Sequence, residues 1–141
     1  MPWKELPHAY RIYMQIATDA QRRLVRMTRT ATALPREATT ELLTRFYAEM
    51  ERVLPRRERA ALRLLVDSQK APRMFDPTAE PETNDAARSF YGDFQRTAFL
   101  IRTPIGLLQM RRIIKTMGLT AAAFVDEVEA MTYLVSSEPS A

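Results

Sequence analysis

Nine prolines punctuate the 141-residue chain, and their positions limit how far any one regular element can run. Proline has no N–H to give a helix interior, but it suits the first helical turn, where that N–H would have no intrahelical partner. Pro35, Pro55 and Pro104 each stand at the head of an apolar-periodic run. Pro72, Pro77 and Pro81 instead crowd together with Asp76, Glu80 and Glu82, which predicts an extended loop over 71–83. Gly118 is a natural helix stop, Thr103 and Thr120 are helix caps, and Asn84 or Asp85 caps the element after the loop.

Between these marks the apolar residues recur in steps of three and four. Ala9, Tyr13, Ile16, Ala20, Leu24, Met27 and Ala31 form one stripe, predicting a long helix over roughly 8–33. Leu42, Phe46, Met50 and Val53 form a second stripe, and Ala61, Leu62, Leu64, Leu65 and Val66 supply a third apolar side. Beyond the loop, Ala87, Phe90, Phe94, Ala98 and Ile101 form a fourth stripe. Leu107, Met110, Ile114 and Met117 form a fifth, and Phe124, Val128, Met131 and Val135 a sixth. No segment reads as a strand. The expectation is an all-α protein of about six helices: an N-terminal three-helix bundle over 1–72, a proline-rich loop over 73–83 and a helical extension over 84–141.

Composition narrows the chemistry. There is no cysteine, so disulfides, thiolate metal sites and cysteine nucleophiles are excluded. His8 is the sole histidine, and the three glycines do not cluster into a phosphate-binding loop. Carboxylate pairs such as Glu37 with Glu41 read as solvated helix faces. The expectation is a protein that is not an enzyme and has neither a metal nor a cofactor of its own. The apolar stretch from Leu100 to Ile114 is broken by Arg102, Pro104, Arg111 and Arg112, so it does not read as a membrane span.

The net charge is +4, and the cations are 18 arginines with 3 lysines. Twelve of those arginines lie within 11–63. Arg22, Arg23, Arg26 and Arg29 would form a basic face on the first helix, suited to an acidic partner protein or to RNA. Residues 20–36 hold five arginines and no acid, a composition similar to a mitochondrial transit segment, although the apolar spacing there favours folded structure.

A resemblance joins these features. Ala9-Tyr10-Arg11, ahead of the long basic stretch, resembles the motif of the mitochondrial LYR family, with Ala9 in place of the leucine. Arg45-Phe46 is similar to that family's arginine and downstream phenylalanine. Pro55 followed by Ala61-Leu62-Arg63-Leu64-Leu65 is similar to its third helix. The prolines after Ala71 are similar to the loop of some respiratory complex I LYR subunits. The resemblance covers residues 5–80. It implies a subunit or assembly factor of a mitochondrial respiratory complex that docks acyl carrier protein, whose acyl-phosphopantetheine would enter the bundle. Tyr10, Arg11 and Phe46 are the positions carried over, with Arg22, Arg23, Arg26 and Arg29 as the docking face. The alternatives are an RNA- or ribosome-associated helical protein and a cytosolic helical adaptor or regulator.

Overall fold

A computed structural model describes residues 14–32, 36–71 and 81–136 of the chain. The architecture is α/β, which corrects the all-α expectation. Among the described residues five strands form one sheet: β1 (Met14–Asp19), β2 (Leu24–Arg29), β3 (Arg63–Asp67), β4 (Arg96–Leu100) and β5 (Ala122–Phe124). Among the described residues five helices accompany them: α1 (Arg36–Val53), α2 (Arg56–Arg59), α3 (Pro81–Gly92), α4 (Pro104–Met117) and α5 (Glu127–Val135). The strands lie side by side in chain order. β1 and β2 pair antiparallel, and β2 through β5 are parallel neighbours.

The residues expected to form the first helix make a hairpin instead. Asp19 Oδ1 accepts the backbone N–H groups of Gln21 and Arg22 at 3.1 and 3.3 Å, which turns the chain. Arg23 closes the turn with φ at 51°, in the left-handed region. In β2 the side chains then alternate: Val25 and Met27 are fully buried on one face, while Leu24 and Arg26 point to the other. The stripe assigned to a helix by its threes and fours is split by the strand: Leu24 and Met27, three positions apart, go to opposite faces.

β3 and β4 show why the other strands read as helix. Leu64, Leu65 and Val66 are all buried, as are Thr97, Ala98, Phe99 and Leu100. A parallel strand covered on both faces is an unbroken apolar run, and periodicity alone does not separate such a run from a buried helix. Leu64, Val66 and Phe99 join the core beneath α1, α3 and α4, whereas Leu65, Ala98 and Leu100 join a second core beneath α5.

The placement of the helices follows from the strand order. Three successive crossovers advance the same way along the sheet, and the right-handed rule puts their helices on one face. The larger core accordingly gathers Phe46, Tyr47 and Met50 of α1, Ala87 and Phe90 of α3, and Ile114 and Met117 of α4. The chain then doubles back after β5, and α5 covers the opposite face with Ala130 and Leu134. Its cap is Asp126, which accepts from Val128 N at 2.9 Å, and not Thr120 as the sequence reading expects. The caps at either end of α4 match the reading: Thr103 Oγ1 accepts from Gly106 N at 3.0 Å, and Gly118 takes φ 68° at the C-terminus.

Candidate functional site

Open parallel sheets present their binding crevices beyond the carboxyl ends of the strands, where the strand-to-helix loops converge. Here that edge holds a cleft of about 310 Å³, toward the small end of the roughly 300–1,000 Å³ range of ligand sites. Val66 and Phe99 supply lining from the sheet. Leu43 and Tyr47 of α1, with Tyr91 of α3, line it on one side. Met110, Ile113 and Met117 of α4 line it on the other.

The polar groups are few and placed by the fold. The Tyr47 and Tyr91 hydroxyls are 2.8 Å apart and share a hydrogen bond, so two phenols sit in an apolar wall with one donating to the other. Ser68 follows β3, its N–H donating to Leu100 O at 2.9 Å. Arg29 ends β2 and is half-buried at the cleft. Arg102 and Thr103 lie in the β4–α4 junction, exposed at the cleft edge. Arg102 makes no ion pair with any described residue. Among the described residues the lining includes no carboxylate. The cleft therefore combines an apolar body with a cationic edge beside the N-terminus of α4, where the helix dipole also favours negative charge.

The arginines expected to share a docking face do not share one. Arg22 and Arg23 occupy the β1–β2 turn, and Arg22 pairs loosely with Asp19 at 3.7 Å. Arg26 points to the α5 face, where its Nη2 donates to Asp67 Oδ2 at 2.6 Å and Glu127 Oε1 at 2.7 Å. Burial works to lower the Arg26 pKa, but the hydrogen bonds and charges of Glu127 and Asp67 together outweigh it and hold the guanidinium above its ordinary value. Arg29 emerges on the opposite face, at the cleft. Strand geometry, with its period of two, divides what a helix would have aligned.

Phe46 is a core residue, 2% exposed, with its ring edge-on to Tyr47 and Phe90. Tyr10 and Arg11 lie outside the described residues. Of the expected site residues that are described, only Arg29 lines the cleft. Sequence reasoning missed Arg102, Tyr47 and Tyr91. Arg102 carried a usable signal, since it links a short apolar run to a Thr-Pro helix start, the junction at which a parallel strand delivers residues to a crevice.

Among the described residues, no cluster of acids and histidine could hold a metal ion, and no helix is long and apolar enough to cross a membrane. No family model, curated protein or solved structure matches the chain.

Proposed function

We propose that this chain is a binding domain for a small amphipathic anion. The ligand has an apolar body, such as an acyl chain, and a carboxylate or phosphate head. The observation that carries this reading is the apolar cleft with Arg29 and Arg102 at its edge and no acid among its described lining residues. The body would lie between Phe99 and the α4 side chains Met110 and Ile113. The head would meet Arg102 at the start of α4, where a charge-assisted hydrogen bond is stronger than a neutral one.

The reading replaces docking through a basic helix face. Acyl carrier docking as the resemblance implies it calls for Arg22, Arg23, Arg26 and Arg29 on one surface, above a three-helix bundle. The division of those arginines between the turn and the two sheet faces favours the cleft.

Titration with cis-parinaric acid, a fluorescent fatty acid, tests the proposal. Saturable one-to-one binding is expected, weakened about tenfold by Arg102→Glu through loss and reversal of one charge contact. Met110→Trp, which fills the cleft, should block uptake, and the methyl ester of the probe should bind more weakly than the acid. Absence of saturable binding by the folded protein, or binding indifferent to both substitutions, would overturn the reading.

A further inference from the structure

We infer that the outer face of α4 docks on an anionic lipid bilayer. Ile105 and Leu108 are 72% and 65% exposed although both are large and apolar, and they stand one turn apart at the start of the helix. Arg111, Arg112 and Lys115 continue along the same side, all exposed. At 3.6 residues per turn, these five side chains fall within an arc of about 120°, spread over roughly 15 Å of helix axis. The opposite side of α4 is committed to the protein core through Gly106, Ile114 and Met117.

Charge selects the partner. Residues 102–125 contain Arg102, Arg111, Arg112 and Lys115 and no acid at all. None of these four cations is ion-paired with a described residue. Cations beside an exposed aliphatic pair match a bilayer of anionic headgroups: the aliphatic side chains enter the acyl boundary while the cations remain at the phosphates. A nucleic acid would use the cations but leave Ile105 and Leu108 in water. Ile105 also lines the cleft. On the reading of that cleft as an acyl-ligand site, the docked helix would bring its opening to the membrane surface, and the ligand would pass between bilayer and protein with little exposure to water.

Flotation of the full chain with vesicles of phosphatidylcholine, and of phosphatidylcholine mixed with phosphatidylglycerol, tests the inference. Binding is expected to the mixed vesicles, weakening as salt is raised. Leu108→Asp should lower it about tenfold or more, and Arg111→Glu with Arg112→Glu should lower it at least as far. Both changes are on exposed positions outside the cleft, so cis-parinaric acid titration of the same variants should match the parent protein. No binding to mixed vesicles, or equal binding to both vesicle types, would overturn the docking and leave the cleft reading to its own titration. Binding of an RNA homopolymer that falls with Arg111→Glu and Arg112→Glu but not with Leu108→Asp, with no vesicle binding, would overturn it in favour of a nucleic-acid surface.

Discussion

Arg59 and Asp93, which lie 34 positions apart, meet through an Nη2 to Oδ2 contact of 2.9 Å in which the cation is wholly buried. The same Nη2 donates to Glu51 at 2.9 Å, Nη1 donates to Leu54 O at 2.8 Å, and the guanidinium carbon stands 5.6 Å from the Phe90 ring centroid. One side chain thus joins the end of α1, the short α2 and the turn after α3.

Arg59→Met should be among the most damaging single changes. It leaves Asp93, only 17% exposed, without its closest cation. Breaking a buried pair by removing one partner costs about 3–5 kcal/mol, which chemical denaturation would read directly. Arg59→Lys should recover little, because an ammonium does not reproduce the planar fork that reaches Leu54 O and two carboxylates together.

Arg26 joins β2 to β3 and to α5 but is partly exposed, so Arg26→Met should cost only about 1 kcal/mol. Most of that loss belongs to Asp67, at 9% exposure, and less to the exposed Glu127. Raised salt should therefore shrink the difference only in part. The folded-state pKa of Arg26 is raised, so its contribution is complete below the unfolded value and fades only as pH climbs through the folded one. The gap between parent and variant should stay level from neutral to mildly alkaline pH.

How far the sequence discloses this molecule depends on the element. The proline and glycine marks locate α1 and both ends of α4, because capping is local chemistry that the neighbouring residues decide. The strands escape because β3 and β4 are short and covered on both faces, so that no polar position marks their period. Arg26 could be recognised as important, but its partners lie 41 and 101 positions away, beyond any local pattern. The cleft is hidden for the same reason, since Tyr47 and Tyr91 meet only after the crossovers are in place.

Two left-handed residues make a matched pair of tests. Gly118→Ala should destabilise by about 1–2 kcal/mol, because a Cβ at φ 68° is strained even though nothing lies within 4 Å of it. Arg23→Gly should do the reverse. It relieves similar strain at φ 51° but gives up chain stiffness, for a gain of up to about 1 kcal/mol in thermal or urea unfolding.

Thr103→Ala removes the oxygen that caps α4 at the cleft edge. A loss of about 1 kcal/mol is expected, with weaker binding of the fatty-acid probe as the first turn frays. Thr103→Ser should restore both, which separates the cap from a simple loss of bulk.

The chain-ordered sheet also bears on how the protein is made. Every described strand pairs with the described strand just before or after it in sequence. A nascent chain leaving the ribosome can therefore add each described strand and its helix in turn to a growing edge, outward from the β1–β2 hairpin. No described strand has to wait for a later one to be inserted between it and its neighbour. The second face stays uncovered until α5, which follows all five described strands in the chain, closes over Leu65, Ala98 and Leu100. Chains interrupted before that point would carry the sheet with this apolar face open, and they are the species a chaperone or protease should recognise.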